Sequence, residues 1–399
     1  MPDLDREPQA AMSKTRAYLD WNATAPLGEA ARRAMLDAYD LPGNASSVHG
    51  EGRAARAGID RARRQVAALV GADPQHVTFT SGATEAANLV LTPAFRMGRA
   101  PLVIGHLYVS AIEHPALREG GRFGAGQVSE IAVTPQGVLD LAALAAKLDA
   151  HDAASGLPMV AVMLVNNETG IIQPVAEAAA LVHGKGGVLV VDAVQAVGRI
   201  PVDIAALDAD FLIVSSHKIA GPKGVGALIS RGEVMMPQPL IRGGGQEKGH
   251  RSGTENFPGI LGFGAAAEAA LADMETRNIA IGALRQRLEE GMRAAAADVI
   301  IHGAGEQRVS NTTFFTLPGL KSETGQIAFD LEGIALSAGS ACSSGKVGQS
   351  HVLAAMGCDA DMGALRMSLG PLTTEAEIEK ALAAFARISG RRKAAGQAA

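Results

Sequence analysis

Residues 186–195 read Gly186-Gly187-Val188-Leu189-Val190-Val191-Asp192-Ala193-Val194-Gln195. Four consecutive apolar residues, three of them β-branched, follow two glycines and run into a carboxylate. A short apolar run without polar alternation suits a strand covered on both faces, as in a parallel sheet between helix layers. Asp192 then sits at the buried carboxyl end of that strand, where a charge needs a partner.

The same pattern recurs on both sides. Strands are predicted over His76–Thr80, Leu107–Ser110, Met159–Val165, Val188–Val191, Phe211–Val214 and Val225–Ser230. Segments with apolar residues at three- and four-residue spacing lie between them: Gly52–Val70, Leu139–Leu148 and Val175–His183. Strands alternating with helices predict an α/β fold with a mostly parallel central sheet. The glycine-rich stretch Arg242–Gly253 breaks this rhythm. Helices follow from Gly262 to about Arg277 and over Ile279–Ala296, then strands at Thr312–Thr316 and Ile334–Ser337, a last helix at Glu375–Ile388 and a frayed tail, Gly390–Ala399. The expected organisation is a large domain over 18–262 and a smaller α+β C-terminal domain over 263–390, with 1–17 packing on the latter.

Composition narrows the function classes. Of 399 residues 47% are hydrophobic, enough for a sizeable core, and the net charge is −5 with no run of like charge. Neither nucleic acid nor an anionic membrane is an expected partner. No stretch of about 18 apolar residues predicts a membrane span, and polar Met1–Lys14 lacks the apolar centre of a signal peptide. The two cysteines, Cys342 and Cys358, form no disulfide framework, which points to a reducing cytoplasm.

In open α/β sheets, ligands bind beyond the carboxyl ends of the strands. Five predicted strands end in polar groups: Ser81-Gly82-Ala83-Thr84-Glu85, Glu113-His114, Asn166-Asn167-Glu168, Asp192 with Gln195, and Ser215-Ser216-His217-Lys218. Ser81–Thr84 opens a helix with small residues, a plain cap by itself but also a fit for a phosphate. Asp192 suits a metal, a ribose hydroxyl or a protonated ring nitrogen. No glycine fingerprint supports the ribose and no clustered His/Cys set supports a metal. The ring nitrogen remains, as required by pyridoxal phosphate, whose ring acts as an electron sink. Lys218, just past a buried strand, is the candidate amine for a Schiff base. Cys342, among small residues in Ser337–Gly345, reads as an exposed reactive thiol, whereas Cys358 reads as an inert one at a helix end. Arg366 alternates with apolar residues, so it is edge-exposed or a carboxylate clamp.

These motifs resemble the NifS/IscS-type cysteine desulfurases, fold-type I pyridoxal-phosphate enzymes close to the class V aminotransferases. The likeness rests on Ser81–Glu85, Val165-Asn166-Asn167-Glu168-Thr169-Gly170, Val191–Gln195, Ser216-His217-Lys218, Gly243–Glu247, Arg251-Ser252-Gly253-Thr254 and Gly339-Ser340-Ala341-Cys342, and it runs from Tyr18 to about Ile388. It implies conversion of L-cysteine to L-alanine, with the sulfur taken as a persulfide on Cys342. Lys218 would bond the cofactor, Asp192 pair with the ring nitrogen, Gln195 meet the ring hydroxyl, and His114 stack on the ring and take the thiol proton. Ala83, Thr84, Ser215 and His217 would hold the phosphate, joined by Thr254 from the other subunit of a homodimer. Asn22, Asn167 and Arg366 would bind the substrate, with Asn167 also near the cofactor. The resemblance further implies a protein sulfur acceptor, an iron–sulfur scaffold or a sulfur carrier. No metal is expected in the cofactor site, although Cys342 is open to transient contact with an iron–sulfur cluster. The sequence departs from the family pattern at Ala25, Ala45 and Gly345–Ser350. Selenocysteine lyase, another class V reaction and a non-catalytic sulfur relay or scaffold are the competing expectations.

Overall fold

The computed structural model describes residues 16–338, 350–359 and 363–397. In chain order its strands are β1 (Ala17–Tyr18), β2 (Val77–Thr80), β3 (Ala94–Met97), β4 (Ala100–Ser110), β5 (Val128–Ile131), β6 (Leu157–Met163), β7 (Val188–Asp192), β8 (Phe211–Ser215), β9 (Gly226–Ser230), β10 (Met235–Pro237), β11 (Ile300–Ile301), β12 (Thr312–Thr316), β13 (Ile334–Ala335), β14 (Ser337–Ala338) and β15 (Leu365–Ser368). The helices are α1 (Glu29–Tyr39), α2 (Gly50–Leu69), α3 (Ala83–Val90), α4 (Pro115–Arg118), α5 (Leu141–Asp149), α6 (Val175–His183), α7 (Phe257–Ala272), α8 (Met274–Ala295), α9 (Ser322–Leu331), α10 (His351–Ala355) and α11 (Glu375–Gln397). No helix among the described residues is long and apolar enough to cross a membrane.

The main sheet runs β10-β3-β4-β6-β7-β8-β9-β2, with β5 also paired to β4. Strands β4, β6, β7 and β8 are mutually parallel. Because β9 is antiparallel to both β8 and β2, β2 points the same way as the parallel set. The carboxyl ends of β2, β4, β6, β7 and β8 therefore share one edge. Successive side chains of a strand point to opposite faces, and here both faces are covered. Val160, Val162, Leu189, Val191, Leu212 and Val214 pack into one core with α2, α6 and α7. Met159, Ala161, Val188, Val190, Phe211 and Ile213 pack into another with α3 and α4. The fold is α/β with a mostly parallel central sheet, as the uninterrupted apolar runs predict.

A second, antiparallel sheet, β11-β12-β15-β14, builds a separate core around Leu288, Phe315, Phe329, Met367 and Phe385. Beside it β1 pairs in parallel with β13 as a two-stranded sheet, and Ala17 and Leu19 are buried in the same core. Residues 17–19 thus pack away from the larger core, although position 18 was the expected start of the large domain. Residue 262, the expected end of that domain, lies inside α7. Glycines along α7 let it press closely on its neighbours: a Cβ at Gly262 would meet Met35 Cγ at 2.7 Å, and one at Gly264 would meet Ala62 Cα at 2.6 Å. The helix is therefore welded to α1 and α2. The expected frayed tail also differs, since α11 continues to Gln397. Arg392 fastens it by donating to Pro318 O and to Asp298.

Candidate active site

The five strand ends surround a cavity of about 510 Å³. Ala83, Thr84, His114, Asn167, Asp192, Gln195, Ser215, His217 and Lys218, each singled out from sequence, line it. Between β2 and α3, Gly82 takes φ +156° and ψ 176°, a conformation L side chains rarely adopt. A Cβ there would meet no atom within 4 Å, so conformation and not space calls for glycine. The turn aims the N-terminus of α3, with N–H groups that have no acceptor inside the helix, at the cavity. Glu85 steadies it, accepting from the Ser81 N–H at 2.9 Å and from Arg251 Nε at 2.9 Å.

Asp192 ends β7 with its carboxylate buried. Burial pushes its pKa up to about 6, against the opposing pull of the Val194 N–H and the Lys218 charge. Lys218 follows β8 in a 3₁₀ turn, and its Nζ donates to Asn22 O at 2.6 Å and Ala23 O at 2.9 Å. Lys223 is exposed at the cavity mouth. Gln195 donates through Nε2 to Asn22 O at 3.1 Å.

His114 caps α4: its Nδ1 accepts from the Ala116 N–H at 3.1 Å. Burial, then the charges of Lys218 and His351, lower its pKa to about 4, so the ring is neutral at pH 7 with its proton on Nε2. Its one lone pair is engaged at Nδ1, which opposes the expectation that His114 takes a thiol proton. Burial and the Lys218 charge likewise keep His217 neutral, at about 4, with Nδ1 3.2 Å from Thr24 Oγ1.

Arg366 and Asn22 lie one layer back. Strand β15 is interior to its sheet, and Arg366 is buried, so the edge-exposed alternative does not hold. The guanidinium donates to Asn167 O at 2.9 Å and Asp20 Oδ1 at 2.7 Å. Asn22 Nδ2 donates to Asn167 O at 3.2 Å and Thr312 Oγ1 at 2.9 Å. Two buried polar atoms here, Arg366 Nε and Asn167 Oδ1, have no hydrogen-bond partner among the described residues. Thr254 is exposed and does not line the cavity. Cys342 lies outside the described residues. The half-buried thiol of Cys358 is pushed up in pKa by burial.

Three acids that the sequence places in the strand-end and glycine-rich motifs, without a role, gain partners here. Glu113, fully buried, accepts the Met163 N–H at 2.6 Å, and its backbone O is 2.9 Å from His351 Nε2. Glu168 accepts the Ser350 hydroxyl at 2.5 Å. Glu247 takes both ends of Arg63, at 2.6 and 2.7 Å, plus the Phe79 N–H, fixing the glycine-rich turn to β2.

The class-V aminotransferase family model matches residues 17–381. A cysteine desulfurase of Sinorhizobium fredii is 41% identical over 375 residues, 92% of this chain and 94% of its own. The IscS-like cysteine desulfurase of Mycobacterium tuberculosis is 37% identical over 391 residues, 96% of this chain and 98% of its own. The X-ray structure of a NifS-like protein from Rickettsia africae superposes with a TM-score of 0.83 at 33% identity, covering 94% of this chain and 99% of that one. With the cavity and its lysine in the same chain, the conclusion is plain: the protein belongs to the pyridoxal-phosphate-dependent class-V aminotransferase family, alongside the NifS/IscS-type cysteine desulfurases.

Proposed function

We propose that the protein is a cysteine desulfurase, converting L-cysteine to L-alanine and passing the sulfur to Cys342 as a persulfide. One observation carries this: the Lys218 amine, the buried Asp192 carboxylate and the N-terminus of α3 border a single cavity of about 510 Å³. These three groups fit pyridoxal phosphate, which needs an amine, a partner for a protonated ring nitrogen and an anion site. When bound, the cofactor supplies the electron sink that makes the α-proton of cysteine removable.

The chain's own groups then divide the work. Lys218 would hold the cofactor through Nζ, and its amine would move the α-proton of the substrate. Asp192 stays ionised beside the ring nitrogen. Gln195 donates to the ring oxygen, and His114 stacks on the ring as a neutral Nε2–H donor. Ala83, Thr84, Ser215 and His217 hold the phosphate, with Thr254 joining from the other subunit of a homodimer. Arg366, Asn167 and Asn22 receive the substrate carboxylate, and the buried Arg366 Nε, which has no partner among the described residues, supports that role. The described residues flanking Cys342 are anchored beside the site: Ser337 pairs across from Arg366, and Ser350 bonds Glu168. A protein acceptor in the cytoplasm then removes the persulfide sulfur.

Purified protein should be yellow, and Lys218→Ala should lose the visible band together with alanine formation. Cys342→Ser should keep the band yet release no sulfide from cysteine. Normal desulfuration by Cys342→Ser removes the thiol from the mechanism.

A further inference from the structure

Gln195 has a neighbour to which the site above gives no role. Arg199, four residues on, donates through Nη1 to Gln195 O at 2.7 Å and to the side-chain Oε1 of Gln195. Gly198 between them takes a left-handed φ of +73°, and α8 clamps the turn from behind. Arg277 Nη2 donates to Gly198 O at 3.1 Å, and Asn278 Nδ2 donates to Arg199 O at 2.7 Å. Arg199 lies where the active cavity backs onto a second one of about 230 Å³ that Lys218 also lines. Burial, then the Arg366 charge, lowers its pKa to about 9, which still leaves it cationic at neutral pH.

A side-chain amide has an accepting end and a donating end, and which faces where decides what it offers a ligand. Both ends of Gln195 are dictated. A guanidinium only donates, so the end facing Arg199 is the oxygen. The Asn22 carbonyl only accepts, so the end facing it is the nitrogen. No carboxylate among the described residues forms a salt bridge with Arg199, so the Nη1 donor serves the amide and the backbone beside it.

We propose that Arg199 is a positioning residue that locks the Gln195 amide with Oε1 turned away from the ring, so that only an N–H end is presented to the ring oxygen of the cofactor. The assignment rests on the reading above, in which Gln195 meets that oxygen. A donated hydrogen bond stabilises the oxygen as an anion and so competes with the proton it shares with the lysine linkage. Releasing the amide lets that proton bind more tightly.

The measurement is the pH midpoint of the visible absorbance of the holoenzyme. Arg199→Met should raise it by about one unit, the size expected for one charge-assisted hydrogen bond. Arg199→Lys, which keeps a donor for Oε1, should restore most of the shift. Gln195→Ala should raise the midpoint at least as far, and adding Arg199→Met to it should change nothing more. Asp192, His114, His217 and Lys223 also face the linkage and are the same in every variant. An unmoved midpoint in Gln195→Ala removes Gln195 from the ring oxygen, whatever Arg199 does. A shift in Gln195→Ala with none in Arg199→Met overturns the role of Arg199. So does an equal Arg199→Met shift in the Gln195→Ala background, since a bare charge would then act through space. If Arg199→Met does not fold, the same cycle with Arg199→Leu, which also lacks a donor, decides.

Discussion

The floor of the cavity and the wall behind it each hold buried carboxylates, and they end in different charge states. Asp192, on the floor, has a cation in view and one N–H bonded to it, so burial raises its pKa only to about 6. Glu113, in the wall, has one N–H and no cation acting on it, and the Asp192 charge adds to burial in pushing its pKa well above the ordinary value. The two are linked through one strand: Glu113 accepts the N–H of Met163, and Met163 is registered against Asp192 across β6 and β7. At neutral pH Asp192 is mostly an anion, whereas Glu113 is held toward its neutral acid form. Equal burial does not set charge; the facing groups do.

Asp192→Asn tests the floor and should show the largest effect. The amide keeps the shape but removes the charge that favours a protonated ring nitrogen. Alanine formation should fall by roughly 10²–10³-fold, as when one preorganised electrostatic partner is lost. A loss below about tenfold would mean that the ring is served by another group, and the contrast between floor and wall would vanish.

Glu168 sits between these extremes. Burial raises its pKa from 4.5 to about 7, opposed by the Ser350 hydroxyl and the Arg366 charge. Since the folded state holds this proton more tightly than the unfolded state, the associated stability is complete below pH 4.5 and is lost as pH rises through 7. The full span is at most about 3 kcal/mol. Glu168→Gln keeps an acceptor for Ser350 and does not titrate. Relative to wild type, its urea midpoint should climb from pH 4.5 to pH 8. A difference that is flat across this range would show that burial does not raise the pKa of Glu168.

The roles of the floor were legible in the sequence and the partners of the wall were not, for a physical reason. Asp192 follows an apolar run directly, and Lys218 and Thr84 follow theirs within a few small or polar residues, so a local pattern marks them as strand ends. The wall depends on partners far along the chain: Glu113 on Met163, 50 residues away, Glu168 on Ser350, 182 away, and Glu247 on Arg63, 184 away. Element ends moved for similar reasons. The strand predicted to reach Val165 stops at Met163 because its partner β7 ends at Asp192, whose O takes the Leu164 N–H at 2.9 Å as the last bond between them. Helix α7 starts five residues before the predicted Gly262, because Asn256 caps it and Pro258 sits in its first turn, where proline is tolerated. Short strands such as β3, largely exposed, left no apolar run to see.

Glu113→Gln should show the smallest effect and tests the wall most directly. A glutamine matches a neutral glutamic acid in shape, and its Oε1 can still accept the Met163 N–H. Alanine formation should stay within about threefold of wild type and stability within about 1 kcal/mol. Glu113→Ala, by contrast, strands a buried N–H, which costs about 1–3 kcal/mol in the denaturation midpoint. If Glu113→Gln were as damaging as Asp192→Asn, Glu113 would be working as an anion. The charge on Asp192 would then have to be sustained by Lys218 against a second negative group behind it.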